Sequence, residues 1–149
     1  REVALPLLVA RGIRTRWNTH QLVTLASLVE KEAGASDERP LVASVFVNRL
    51  ERGMRLQCDP TVIYAEWLVK GEWDGEINRS DLARQSPYNT YLNSGLPPGP
   101  VANPGRGAIM AAIKPASSNY LYFVSMNNGR HLFSDNLREH NRAVKKYQR

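Results

Sequence analysis

Apolar residues recur at the spacing of an α-helix near the start of the chain. The apolar stripe runs from Thr19 to Ala33, its centre on a helical wheel lies near Leu22, and Gly34 follows as a natural helix stop. Three polar residues point away from this stripe: Thr24, Ser27 and Lys31. The pattern predicts a helix that buries one face and exposes the other.

Further helical segments are expected in the first half of the chain. One covers residues 41 to about 52, ahead of a glycine. Another covers residues 61–70, because Asp59 can cap a helix whose first position is occupied by Pro60. A short helical turn is expected at residues 80–82.

A long polar and proline-rich segment follows these helices. Four of the nine prolines fall between Pro97 and Pro104, so residues 85–107 can form neither a regular helix nor a central strand. A loop of this length is usually functional or disordered, and its tyrosines and asparagines argue against disorder. We expect it to form a rigid cleft wall; the alternative is a packed surface loop.

The end of the chain combines a short helix, a β-hairpin and a terminal helix. The short helix is expected over residues 107–113, and strand-forming residues occupy 120–124 and 131–133. The turn between these strands reads Asn127-Asn128-Gly129, which is typical of a hairpin. Residues 135–149 predict an amphipathic helix. Its expected inward side chains are Leu137, Val144 and Tyr147. The elements together predict a mainly helical α+β domain.

The composition is that of one globular domain with a basic surface. The 149 residues carry a net charge of +6, which favours an anionic partner but is equally compatible with a basic surface that has none. The single cysteine, Cys58, can form no internal disulfide, and we expect it to be a small buried residue. No cofactor or metal site is predicted. Residues 1–20 are expected to lead in from a preceding segment, and residues 21–149 to form the domain.

Two carboxylates, Glu30 and Glu32, end the first predicted helix. Each lies at a border of the apolar stripe, roughly 80° from its centre. Partial desolvation at such a border raises the pKa of a carboxyl group, which can then donate a proton near neutral pH, as cleavage of a glycosidic bond requires. The alternative is that both are solvated charges at a helix end. The periodicity does not choose between the two glutamates.

Several sequence blocks occur in one order over nearly the whole chain. They are Leu-Val-Glu-Lys-Glu at 28–32, Ala-Ser-Val-Phe-Val-Asn-Arg-Leu at 43–50, Met-Arg-Leu-Gln at 54–57, Asp-Pro-Thr-Val-Ile-Tyr at 59–64, Tyr-Asn-Thr-Tyr at 88–91, Gly-Leu-Pro-Pro-Gly at 95–99, Asn-Pro-Gly at 103–105, Tyr-Leu-Tyr-Phe-Val at 120–124 and His-Leu-Phe at 131–133. From about Gln21 to Tyr147 this string resembles the endolytic murein transglycosylases of the MltG (YceG-like) family.

The resemblance implies a lysozyme-like helical fold around a catalytic glutamate, the second of the Glu-Lys-Glu run, which is Glu32. Enzymes of this class cut the bond between N-acetylmuramic acid and N-acetylglucosamine within peptidoglycan strands. Their glutamate first protonates the bridging oxygen and then takes a proton from the muramic C6 hydroxyl, which attacks C1 and closes a 1,6-anhydro ring. Intramolecular attack consumes no water and gains from effective concentration.

Further expectations follow from the family. Its members carry a membrane anchor and often a LysM-like module before this domain, and the chain from Arg1 contains neither, so we expect it to be a soluble fragment of a larger protein. The full-length protein is expected at the periplasmic face of the bacterial inner membrane. Peptidoglycan strands are the expected partner, together with peptidoglycan synthases, and nucleic acid is not expected.

Polar and aromatic side chains in these blocks are candidates for binding sugar. Amides can hold acetamido groups without adding charge, and tyrosines can stack on sugar rings. The candidates are Gln57, Asp59, Tyr88, Asn89, Tyr91, Asn103 and His131. The preferred explanation of Asp59 is a helix cap, and as a second carboxylate it would favour hydrolysis. A lone histidine such as His131 is more often structural. Basic candidates for attracting acidic stem peptides are Arg49, Arg52, Arg55, Arg138, Arg142, Lys145 and Lys146.

Other functions stay open at this point. One is a lysozyme-type hydrolase of the same substrate, and another is a non-catalytic glycan-binding module of a wall-synthesis complex. Nucleic-acid binding is suggested only by the sequence pI of about 9.8 and lacks a recognisable motif.

Overall fold

The predicted helices and the hairpin are present in the computed structural model, which describes residues 17–73 and 75–148. The helices are α1 (Thr19–Glu32), α2 (Arg39–Glu51), α3 (Asp59–Lys70), α4 (Arg79–Leu82), α5 (Arg106–Ile113) and α6 (Leu137–Tyr147), with a 3-10 turn at Ser36–Glu38. The strands β1 (Tyr122–Ser125) and β2 (His131–Ser134) form one antiparallel pair. The predicted α+β class is therefore confirmed. Most of the expected lead-in at residues 1–20 lies outside the described residues.

Helix α1 lies at the centre of the core and is covered on all sides. Every residue from 22 to 29 is buried, including Thr24 and Ser27, so the prediction that these two point away from the core was wrong. Their hydroxyl groups are satisfied locally, since Thr24 Oγ1 donates to the carbonyl of His20 and Ser27 Oγ donates to that of Thr24. A small hydroxyl bonded to its own helix can be buried at little cost.

The proline-rich part of the long loop, residues 95–105, covers this polar side of α1. The N–H of Val101 donates to Ser27 Oγ at 3.1 Å, and the N–H of Gly105 donates to Glu30 Oε1 at 2.8 Å. His20 Nε2 donates to the carbonyl of Pro98. Residues 95–105 thus form a packed surface loop and do not line the cleft described below, so the cleft wall expected of this proline-rich part was wrong. Of the longer segment 85–107, Tyr91 lines the cleft.

The first residues of helices α3 and α6, Asp59 and Leu137, differ from the sequence predictions. Asp59 is the first residue of α3 and Cys58 occupies the cap position, with no side-chain cap bond. The prediction of Asp59 as a cap was therefore wrong, while Cys58 is buried as expected. Leu137, expected to face inward, is 55% exposed because it begins α6 beyond the hairpin, and Ala143 supplies the buried contact instead.

Side chains of α2 hold the segment that leads into the hairpin. Asn48 Nδ2 donates to the carbonyls of residues 118 and 120, each at 2.9 Å. Arg49 Nε donates to the carbonyl of Leu121 at 2.6 Å, and its guanidinium also reaches the carbonyl of Arg55. Because Arg49 is only 8% exposed and bonded to the main chain, its expected role as a free surface charge was wrong.

The hairpin turn lies against the residues that follow α1. A β-carbon at Gly34 would lie 2.5 Å from the carbonyl oxygen of Gly129, so only glycine permits this approach. Beside it, Arg130 makes a bidentate ion pair with Asp37, at 3.2 and 2.9 Å. These contacts place β1 and β2 next to the carboxyl end of α1, where Glu32 lies.

Candidate active site

A cleft of about 520 Å³ lies at the carboxyl end of α1, which is within the usual range for ligand sites. Its walls come from α1, α2, the start of α3, both strands and α6. Five of the predicted site residues line it: Glu32, Gln57, Asp59, Tyr91 and His131. The fold therefore brings together residues from four separate parts of the sequence.

Glu32 is the last residue of α1 and is partly buried in this cleft. Burial and, to a smaller extent, the negative charge of Asp59 together raise the pKa of its carboxyl group from 4.5 to about 7. No hydrogen bond from the described residues reaches the Glu32 carboxyl, so no donor among them stabilises its charged form in that way. A substantial fraction of Glu32 is consequently protonated at neutral pH, as a general acid requires.

Asp59 and Tyr91 form a pair on the wall of the cleft. The Tyr91 hydroxyl donates to Asp59 Oδ1 at 2.6 Å. Burial and this hydrogen bond raise the pKa of Tyr91. Asp59 lies in the first turn of α3, where the helix dipole favours a negative charge. Glu32 and Asp59 thus occupy one cleft with different surroundings, since Asp59 accepts a hydrogen bond and Glu32 accepts none from the described residues.

The loop that carries Gln57 is fixed by threonines. The N–H of Cys58 donates to Thr90 Oγ1 at 2.9 Å, and the hydroxyls of Thr61 and Thr90 lie 2.8 Å apart. Gln57 adopts a φ of 50°, a left-handed conformation that is unusual for a residue other than glycine. Such backbone strain is frequent at functional sites, and here it accompanies a side chain in the cleft.

The remaining predicted residues do not line the cleft. Asn89 is completely buried; its Nδ2 donates to two main-chain carbonyls at the end of α4, and its Oδ1 accepts from the N–H of Tyr91. It therefore shapes the loop that presents Tyr91, without contact with the cleft. Tyr88 packs against the ring of Tyr64, 4.9 Å between centroids, and Asn103 lies exposed on the loop that covers α1.

His131 and His140 reach the cleft from the end of the chain. The imidazole of His131 bonds to the buried carboxylate of Glu38 through Nδ1, at 3.0 Å. His140 stacks on Tyr122, and burial together with the neighbouring Arg49 lowers the pKa of its ring. Sequence reasoning missed both Glu38 and His140. The spacing of His140 and Ala143 on the amphipathic terminal helix was the available signal for the latter.

Neither a cluster of metal ligands nor a membrane-spanning helix is found among the described residues. Within residues 17–73 and 75–148, no group of three or more His, Cys, Asp or Glu side chains is arranged to hold a metal ion. Among the helices of the same part of the chain, none is long and apolar enough to cross a bilayer.

Known proteins share this sequence over most of its length. The chain is 46% identical over 134 residues to an endolytic murein transglycosylase of Bacillus subtilis, covering 90% of this chain and 36% of that protein. It is 40% identical to an endolytic murein transglycosylase of Streptococcus pneumoniae, covering 84% of this chain and 23% of that protein. The chain thus spans about a third or less of the length of these relatives.

The fold also matches a solved structure. The crystal structure of a YceG-like protein from Listeria monocytogenes superposes with a TM-score of 0.77 at 44% identity, covering 91% of this chain and 41% of that chain. A family model described as the YceG-like family matches residues 10–146. The resemblance seen in the sequence is therefore confirmed, and the chain belongs to the YceG-like family.

Proposed function

We propose that this chain is the catalytic part of an endolytic peptidoglycan lytic transglycosylase and that Glu32 is its acid and base. The observation that carries the proposal is a carboxyl group with a pKa of about 7 at the end of a buried helix, open to a cleft of about 520 Å³. Relatives at 40–46% identity that are named endolytic murein transglycosylases support the same activity.

In the first step, protonated Glu32 donates its proton to the oxygen that joins N-acetylmuramic acid to N-acetylglucosamine. The bond from C1 to this oxygen breaks, and the sugar that loses it develops positive charge at C1. The negative charge of Asp59 in the same cleft stabilises that charge. The charge of Asp59 also raises the pKa of Glu32 and so keeps Glu32 protonated before the reaction, because a nearby anion disfavours ionisation of a second carboxyl group.

In the second step, the Glu32 carboxylate takes the proton of the muramic C6 hydroxyl, and that oxygen forms a new bond to C1. The product ends in a 1,6-anhydro ring. Glu32 is protonated again by the hydrogen of the C6 hydroxyl, while the proton of the first step stays on the oxygen of the released N-acetylglucosamine. A single carboxyl group therefore suffices, and no water enters the reaction. The second carboxylate of a hydrolase would have to activate water or attack C1. Asp59 lines the same cleft, so the product, an anhydro end or a reducing end, distinguishes the two reactions.

We further propose that the full-length protein works at the periplasmic face of the inner membrane, held by an anchor outside this sequence and close to peptidoglycan synthases. The basic charge of +6 would favour the carboxylate-rich polymer at that site. Membrane fractionation of the full-length protein and crosslinking to synthases test these two statements separately from the chemistry.

Mass spectrometry of the products tests the activity directly. Purified sacculi are incubated with the wild-type chain, with Glu32→Gln and with Glu30→Gln. We expect anhydro ends from the wild type and from Glu30→Gln, because a glutamine at position 30 still offers an oxygen to the N–H of Gly105. Glu32→Gln cannot donate a proton and should release no product.

The other outcomes identify the competing functions. Reducing ends, one water heavier than anhydro ends, would show a lysozyme-type hydrolase and would overturn the transglycosylase proposal. Glycan binding without cleavage by the wild type would show a binding module. Unchanged cleavage by Glu32→Gln would remove Glu32 from the mechanism.

A further inference from the structure

The carboxylate of Glu38 is buried beside the cleft and is only 3% exposed. Its Oε1 lies 3.0 Å from His131 Nδ1, and its Oε2 accepts the main-chain N–H of the same residue at 3.0 Å. Arg130 Nε lies 3.7 Å from Oε2 and balances the charge. One carboxylate therefore fixes both the backbone and the ring of a single histidine.

This contact determines which nitrogen of the His131 ring carries the hydrogen in its neutral form. A carboxylate accepts, so the ring donates from Nδ1, and Nε2 on the opposite side is left as an acceptor. Phe123 packs edge to face with the ring, 5.3 Å between centroids and 87° between planes, which limits its rotation. His131 lines the cleft, and no hydrogen bond from the described residues reaches Nε2.

Fastening the hairpin does not by itself explain Glu38. The bidentate pair of Arg130 with Asp37 already joins the same two segments at the surface. A buried carboxylate is costly, and an apolar residue of similar size would pack there without that cost. What Glu38 adds, and an apolar residue would not, is a defined direction for the imidazole.

We propose that Glu38 is a positioning residue, which holds His131 so that Nε2 accepts a hydrogen bond from an O–H or N–H group of the sugar in the cleft. The sugar as occupant rests on the proposed function; the orientation of the ring does not. His131 is then a substrate-binding residue whose acceptor atom, Nε2, is already oriented before substrate binds. This orientation lowers the entropic cost of binding.

Nitrogen NMR of the histidine side chains tests the orientation in the wild-type chain. The chain has three histidines, and His131→Asn identifies the signal of interest by its loss. We expect the neutral ring to carry its hydrogen on Nδ1 in the wild type. A ring that carries it on Nε2 would overturn the proposal, whatever the enzyme does with glycan.

Two variants then test the effect on substrate. His131→Asn keeps an N–H near the position of Nδ1, and so keeps the contact to Glu38, but removes the ring edge that carries Nε2. Glu38→Gln keeps the size of the side chain and removes the charge that sets the tautomer. Each should raise the Kd for a peptidoglycan tetrasaccharide about tenfold in the Glu32→Gln background, the effect of one lost hydrogen bond to substrate.

Asp37→Asn is the matched control, because it weakens the neighbouring ion pair with Arg130 without touching His131. Its Kd should equal that of the parent. Folded His131→Asn with unchanged affinity would refute the proposal, and this variant decides the question if Glu38→Gln does not fold. If neither the Glu32→Gln parent nor any of these variants binds glycan, while the His131 tautomer is as expected, the proposed function fails and the role of Glu38 in orienting the ring stands.

Discussion

Replacing Glu32 with glutamine should make the protein more stable at about pH 8 while it removes the activity. The reason is that the cleft holds the Glu32 carboxyl at a pKa of about 7, against an ordinary value of 4.5. Above neutral pH the folded protein must keep a charge in a poorly solvated position close to Asp59. Glutamine has the same shape and no charge to desolvate.

The magnitude follows from the difference in pKa between the folded and unfolded states. A pKa raised from 4.5 to about 7 corresponds to about 3 kcal/mol at 1.36 kcal/mol per pKa unit. For a chain of 149 residues, 1 kcal/mol shifts the Tm by roughly 2–4 °C, so the full effect is on the order of 10 °C. This is an upper value, since glutamine also exchanges hydrogen-bonding groups with its surroundings.

The dependence on pH distinguishes this effect from ordinary repacking. Because the folded-state pKa of Glu32 is raised, this group's contribution to stability is complete below pH 4.5 and is lost progressively as the pH rises through about 7. Glu32→Gln lacks that titration. The difference in Tm between the two chains should therefore be small at about pH 4, grow through this window and stay constant above it.

Thermal unfolding followed by circular dichroism across this pH range measures the difference. Glu30→Gln is the matched control, two residues earlier on the same helix, where the side chain bonds to the N–H of Gly105 outside the cleft. A Tm of Glu32→Gln that exceeds the wild type equally at every pH, or falls below it at about pH 8, would refute the explanation by desolvation. An equal gain in Glu30→Gln would do the same.

Two other changes test the electrostatics and the packing around the site. Asp59→Asn removes the smaller of the two causes that raise the pKa of Glu32, so the alkaline limit of the pH–rate profile should move to lower pH. The control Asp37→Asn, on the surface, should leave this limit in place. An unmoved limit in Asp59→Asn would contradict the coupling between Asp59 and Glu32. Gly34→Ala should lower the free energy of unfolding by about 1–3 kcal/mol in denaturant titrations, because its methyl group would lie 2.5 Å from the Gly129 carbonyl oxygen; an unchanged midpoint would mean that the turn can move away.

Local chemistry was sufficient to predict most of the elements. The helical stripe of α1, the Asn-Asn-Gly turn and the prolines of the loop all act within a few residues, so their effects are visible in the sequence. What covers each element is set by distant residues. Thr24 and Ser27 look like solvent-facing positions on a wheel, yet both are buried, and the N–H of Val101 in the proline-rich loop donates to Ser27.

The same limit applies to the predicted binding residues. An asparagine amide can hydrogen-bond to a sugar or to the main chain of a turn. The Asn89 amide bonds to three main-chain groups of the turn around it, two carbonyls and one N–H. The sequence motif around Asp59 is equally compatible with a helix cap and with a cleft carboxylate. The hydrogen bond from Tyr91, which is 32 residues away, aligns it with the cleft.

The contrast between Glu30 and Glu32 shows what the folded chain adds to the pattern. Both lie at borders of one apolar stripe, and the helix alone gives them equal surroundings. Glu30 meets the loop at Gly105, where a main-chain N–H satisfies its carboxylate. Glu32 meets the cleft, where no donor among the described residues reaches it and Asp59 opposes its charge. A hydrogen-bond donor stabilises a carboxylate, and a neighbouring anion stabilises the acid, so the different coverage of the two helix borders separates a structural glutamate from the proposed proton donor.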